Sequence, residues 1–183
     1  RSGPADLRVR IAMNLRGERS RPLVGASLAI TAPTGQYDSS RLINIGSNRW
    51  SFKPELGMAL PHGRWLFEAS LAAWFYTDND AFFGGRRREQ EYIASIQAHV
   101  SYSFRPGWWI AASSTYYRGG RTTVGGIENN DVQGNSRAGV ALSAPLTAHQ
   151  SLKLAWTSGV STRFGGDFDT WGVFWQYAWV SKR

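Results

Sequence analysis

Residues 92–104 read YIASIQAHVSYSF: Tyr92, Ala94, Ile96, Ala98, Val100, Tyr102 and Phe104 share one parity, and Ser95, Gln97, His99, Ser101 and Ser103 the other. A period of two belongs to an extended strand, whose successive side chains point to opposite faces. The segment is therefore a strand with one apolar and one polar side. The pattern recurs at 7–15, where Leu7, Val9, Ile11, Met13 and Leu15 alternate with Arg8, Arg10, Ala12 and Asn14. It recurs again at 50–60, where Trp50, Phe52, Leu56, Met58 and Leu60 oppose Ser51, Lys53, Glu55 and Gly57.

Working outward from these runs, the chain divides into nine strands, at about 7–15, 23–32, 50–60, 65–75, 92–104, 108–117, 138–146, 152–160 and 170–179. Pro54 interrupts the third, and since a strand paired on both sides needs every N–H, a local bulge is expected there. The two faces of the sixth differ too little to assign its inward side. The connections alternate short and long, the long ones covering 33–48, 78–90, 119–135 and a last stretch through Gly165, Gly166 and Asp167, all read as loops, the third by its Gly- and Asn-rich composition. Short periplasmic turns and long external loops are the habit of outer-membrane barrels. The fold class expected is all-β, an antiparallel up-and-down transmembrane β-barrel. On this orientation strand nine ends in the periplasm and strand one starts outside. Because bacterial barrels have even strand counts, residues 1–183 read as one domain with N-terminal strands missing, the C-terminal part of a ten- or twelve-stranded barrel.

Composition narrows the class. No window of about 18 apolar residues could form a transmembrane helix, and no apolar segment opens the chain as a secretory signal would. With 42% hydrophobic and 14% aromatic residues among 183, the chain can form an ordered domain. Zero Cys removes disulfides, thiolate metal sites and thiol nucleophiles. The nine Trp suit a membrane interface, where a flat apolar ring keeps one N–H in water. Trp65, Phe67, Tyr102, Phe104, Trp108, Tyr177 and Trp179 fall beside short turns; Trp50, Phe75, Tyr92, Tyr116 and Trp171 fall beside long loops. Two girdles result. The alternative is a soluble sandwich or lipocalin-like barrel with these aromatics as its core. In the membrane reading Ile96, Val100, Leu142 and Leu154 point to lipid, and Gln97, His99, Arg137 and Lys153 to the lumen.

A net charge of +8 invites a nucleic-acid reading. The basic residues are scattered, however, and the one tight run, Arg86, Arg87 and Arg88, reads as a solvated loop that could meet lipopolysaccharide phosphates. No nucleic-acid partner is expected. Catalysis and metal binding are not expected either: His62 and His149 lie in turns, His99 faces the lumen beside Ser101 without a third partner, and no ligand spacing or phosphate-binding GK[ST] loop occurs. No cofactor is implied. The informative groups are the inward charges Arg8, Arg10, Lys53, Glu55, Glu68, Arg118, Arg137 and Lys153, together with His99, as a candidate substrate path. They either pair across the lumen and brace the wall, or form a cationic constriction whose charge and width select solutes.

Several blocks of wording are also distinctive. Pro33-Thr34-Gly35, the run NIGSNRWSFKPELG from Asn44 to Gly57, YYRGGRTTVGGIENND from Tyr116 to Asp131 and QSLKLAWTSGVSTRFGGDFDT from Gln150 to Thr170 resemble the family described as Putative MetA-pathway of phenol degradation. These are outer-membrane transporter-like barrels. The resemblance covers about residues 23–179 and implies a Gram-negative outer-membrane location and passage of small aromatic compounds, phenolic ones by the family's name; the expectation of anionic solutes comes from the inward cations. Thr170, Gly172, Trp175 and Tyr177 resemble the C-terminal signal read by the barrel assembly machinery, with Val180, Ser181, Lys182 and Arg183 following the aromatic that usually ends it. The partners implied are membrane lipids, lipopolysaccharide, that machinery and a small-molecule solute. A transporting channel and a plugged structural barrel remain the two functional readings.

Overall fold

A computed structural model describes residues 2–16 and 21–179. Residues 1, 17–20 and 180–183, the last including the four residues after the expected terminal aromatic, lie outside the described part. The strands are β1 (Leu7–Asn14), β2 (Leu23–Ala32), β3 (Ser51–His62), β4 (Trp65–Tyr76), β5 (Asn79–Phe82), β6 (Arg86–Gln90), β7 (Ile93–Arg105), β8 (Trp108–Gly119), β9 (Thr122–Val124), β10 (Ile127–Glu128), β11 (Gln133–Pro145), β12 (Gln150–Ser161) and β13 (Thr170–Tyr177). Nine of them form one antiparallel meander, β1-β2-β3-β4-β7-β8-β11-β12-β13, with every strand beside its predecessor among the long ones. Among the described residues β1 and β13 are the two edges and do not pair with each other.

The apolar side chains of this sheet do not form a core. Among the described residues only Ala29 and Ile93 are buried hydrophobics, whereas Ile11, Leu56, Leu71, Ile96, Leu142 and Leu154 are all exposed. The total accessible area is 12570 Å² for 20.4 kDa, against roughly 8,800 Å² for a soluble monomer of that mass. Cross-strand register joins the exposed set into a belt, for example Leu56↔Leu71↔Ile96 and Ile110↔Leu142↔Leu154↔Val173. An exposed belt of this extent is cheap only in lipid. A soluble sandwich with a dry aromatic centre is thereby excluded.

Aromatic rings close both ends of the belt. At the short-turn end Trp65 lies 4.8 Å from Tyr102 and 6.1 Å from Phe67, centroid to centroid, and Tyr177 contacts Trp175 and Trp179. At the long-loop end Phe75 meets Tyr92 at 6.0 Å and Trp156 meets Trp171 at 6.0 Å. Gly63 and Gly107 take φ +59° and +77° in the tight turns, a conformation that side chains disfavour.

Three local expectations are corrected. No bulge forms at Pro54: it pairs with Leu28 on β2, and the β3–β4 ladder merely skips Lys53 and Pro54, since Phe52↔Phe75 and Glu55↔Ala72 stay in one register. The missing N–H removes a bond without adding a residue. The long segments 78–90 and 119–135 are not structureless: β10-β9-β6-β5 form a second, four-stranded sheet, and β11 begins at Gln133. These strands show no apolar alternation because the residues they bury, Asn79 and Thr122, are polar and held by hydrogen bonds. Arg86, Arg87 and Arg88 consequently sit in strand β6 rather than in a loop. The sixth expected strand, β8, turns Ile110 and Tyr116 to the exposed side and Trp109, Ser113 and Tyr117 to the half-buried one.

Candidate functional site

The polar parity of the long strands lines the concave face. Side chains two strands apart meet there: Arg10 on β1 reaches across β2 to Glu55 on β3, Nη2 to Oε1 at 3.3 Å, and donates to the Ser27 hydroxyl at 3.0 Å on the way. Lys53 Nζ lies 2.8 Å from the other Glu55 oxygen and 4.4 Å from the Trp74 ring centroid. Glu55 thus takes two cations. Below them Glu68 and His99 are direct register partners on β4 and β7. Arg10, Ser27, Glu55, Glu68, Gln97 and His99 border a trough of about 540 Å³. Arg8 has the parity of Arg10 and stands opposite Thr31.

A different arrangement occupies the β11–β13 wall. Lys153 faces its register partner Phe174, Nζ 4.3 Å from the ring centroid. Arg137 donates to the Phe168 carbonyl at 2.7 Å and places its guanidinium 4.4 Å from the Phe168 centroid. No carboxylate lies within ion-pair distance of either cation among the described residues. Phe168 belongs to the connection between β12 and β13, which folds back onto the concave face. Buried Asn135 anchors it, donating to the Phe164 carbonyl at 2.8 Å and accepting from the Arg163 amide at 2.8 Å. The Asp167 carboxylate fills the space above Gly159 that a side chain would need.

Arg118 does not join this set. It shares the exposed parity of Ile110 and Tyr116 and stands opposite Ala94, itself on the face of Ile96, so it projects outward at the long-loop rim. The expectation that it lines the lumen is corrected. The strand's interior, Ala111, Ala112, Ser113 and Ser114, has no contrast from which to read its parity.

Above the rim the two longest connections are stitched together. Buried Asn79 accepts from Asn48 at 2.8 Å and donates to the Tyr37 hydroxyl at 2.9 Å, joining the 33–50 segment to β5. Arg49 donates to Gln90 at 2.6 Å and stacks 4.3 Å over Tyr76. Burial, with repulsion from Arg88, pushes its guanidinium down to about 10. Arg87 is held by Asp78, by Glu89 at 3.1 Å and by Asp80 at 3.6 Å, which raises its basicity further. Its charge is committed within the small sheet. Asn79, Asn135 and the ring partners Trp74, Phe168 and Phe174 were not singled out by sequence reasoning. Amides have no periodic signal, and a cation–ring contact depends on register. At the last strand Thr170 pairs with Thr157, Gly172 with Ala155, and the Trp175 indole donates to Gln150 at 3.1 Å, with Tyr177 beside His149. Among the described residues no group of His, Asp and Glu is placed to hold a metal ion.

A twisted antiparallel meander with an apolar convex face, an aromatic band at each end and a charged concave face defines a membrane β-barrel of the outer-membrane type. The chain belongs to the family described as Putative MetA-pathway of phenol degradation, whose profile matches residues 1–173. It is similar to the crystal structure of an outer membrane channel from Pseudomonas putida F1, with a TM-score of 0.87, 25% identity, and coverage of 97% of this chain and 67% of that one. No curated protein sequence matches.

Proposed function

We propose that the protein works in the bacterial outer membrane as a channel passing small anionic or aromatic solutes. The observation that carries this reading is the inequality of inward charge. Arg8, Arg10, Lys53, Arg137 and Lys153 face three carboxylates, Glu55, Glu68 and Asp167; Arg10 and Lys53 share Glu55, while among the described residues Arg137 and Lys153 have no carboxylate within ion-pair distance. Water screens charge less inside a narrow lumen than on an open surface, so an uncompensated cation there biases which ions enter. The Pseudomonas putida F1 neighbour is described as an outer membrane channel, which supports the same reading for this chain. Replacing Arg8, Arg10 and Lys153 together by Gln in the complete protein is expected to shift the reversal potential toward cation preference in planar bilayers.

The plugged structural barrel is the second reading, and the inward-folded connection at 162–169 is what favours it. Absence of conductance in the wild type, where a known porin conducts, would select that alternative. Thr170, Gly172, Trp175 and Tyr177 are proposed as the assembly signal, and lipopolysaccharide as a neighbour of the long-loop rim. No catalytic role is assigned to any residue.

A further inference from the structure

The cations of the concave face fall into two kinds. Lys53 and Arg10 are neutralised by Glu55, so the Trp74 ring beneath Lys53 supports a charge already spent. Lys153 and Arg137 each rest on a ring, and among the described residues neither has a carboxylate within ion-pair distance, the Asp167 carboxylate over Gly159 opposite Arg137 included. Those rings are not hidden: Phe174 is 51% and Phe168 61% exposed. Arg137 pairs in register with Gly159, six residues along β12 from Lys153, so the two cation–ring units lie on one wall about 20 Å apart along the strand.

We infer that this wall is a two-station track for aromatic monocarboxylates, a substrate class that deepens the channel reading above and rests on it. Each unit offers a positive group and an aromatic face side by side. A carboxylate can take the cation while the ligand's own ring packs on Phe174 or Phe168 in the offset or edge-to-face geometry that aromatic pairs prefer. Acetate or chloride would use only the cation, and a neutral phenol only the ring. A phosphate, which favours several donors at once, meets at Arg137 a guanidinium whose Nη2 is already given to the Phe168 carbonyl. Benzoate uses both halves of each unit. Two separate stations, rather than one deep pocket, also suit passage, since binding must be strong enough for the solute to enter and weak enough for it to leave.

The test uses sodium benzoate, sodium acetate and phenol with the complete protein and its Phe174→Leu, Phe168→Leu and Lys153→Gln variants. Leucine keeps an apolar side chain over Gly172, against which the Phe174 ring packs, and removes only the π face. In planar bilayers the benzoate-to-acetate permeability ratio is expected to fall about threefold to tenfold in each Leu variant. Lys153→Gln should reduce both anions together. Saturation-transfer NMR on detergent-solubilised protein reads binding without requiring conduction, and benzoate should give a stronger signal than acetate or phenol. A wild type that binds benzoate in this way but carries no current would refute the channel and leave the track standing. A benzoate-to-acetate ratio that both Leu variants leave unchanged, or no benzoate binding to the wild type, overturns the track itself.

Discussion

Asp6 joins two distant points of one loop. Its Oδ1 accepts from the Gly35 amide at 2.8 Å, and its Oδ2 accepts from the Ser47 amide at 2.8 Å and the Ser47 hydroxyl at 2.6 Å. Burial alone would raise its pKa, but the bonds from Ser47 and Gly35 outweigh that and hold the carboxyl below its ordinary value. A depressed carboxylate pKa contributes stability that is present above the unfolded value and lost as pH falls through the folded one. Amide protection at Gly35 and Ser47 is therefore expected to hold above about pH 4 and to fade below it. In Asp6→Asn that protection should be low at every pH, which hydrogen exchange can measure. Nothing in the sequence marks Asp6, because its partners, two backbone amides and the Ser47 hydroxyl, lie 29 and 41 residues away. Arg10 and Lys53 were legible from parity alone, since their neighbours on both sides are apolar.

At the scale of elements, the strands were readable wherever one face meets lipid, and the rest was not. Lipid imposes alternation on β7 over Ile93–Arg105; β6, with the sequence RRREQ, is held by pairing to β9 and by its carboxylate partners, and carries no such imprint. The inward fold of residues 162–169 escaped for a related reason. It depends on Asn135, one polar residue among many. Asn135→Ala should leave three backbone groups of the loop, the Arg163 and Phe164 amides and the Phe164 carbonyl, without their partner and speed proteolysis after Arg163 several-fold, with the strand content by circular dichroism unchanged. Gly119 offers a sharper test. Its φ is +114°, and a Cβ there would overlap the Tyr92 carbonyl. Gly119→Ala is expected to cost about 1–3 kcal/mol, seen as a lower urea midpoint for folding into lipid vesicles.

For the whole molecule, the decisive variable is which solvent each face meets. Val140 is 49% exposed at the middle of β11, on the convex belt. Val140→Arg should cost about 2–4 kcal/mol of folding free energy in vesicles, the penalty of a cation near the bilayer midplane. His99→Gln, on the concave face of β7, should stay within about 0.5 kcal/mol. Equal costs for the two would contradict the assignment of faces. The sheet's sidedness followed from the period-2 pattern and its order from the alternation of short and long connections, whereas the outward turn of Arg118 did not follow, for lack of contrast in β8.

The small sheet above the rim has one more consequence. Through Arg88↔Val124 and Glu89↔Thr123, the connection between β4 and β7 is hydrogen-bonded to the connection between β8 and β11, and Asn79 ties both to the 33–50 segment. What protrudes is a single plate assembled from three remote pieces of chain. An antibody or a phage tail that recognises it would read a conformational epitope. Immunising with any one of the three pieces as a peptide would present a backbone with no partner strand, and the resulting sera should bind the denatured protein and miss the folded one.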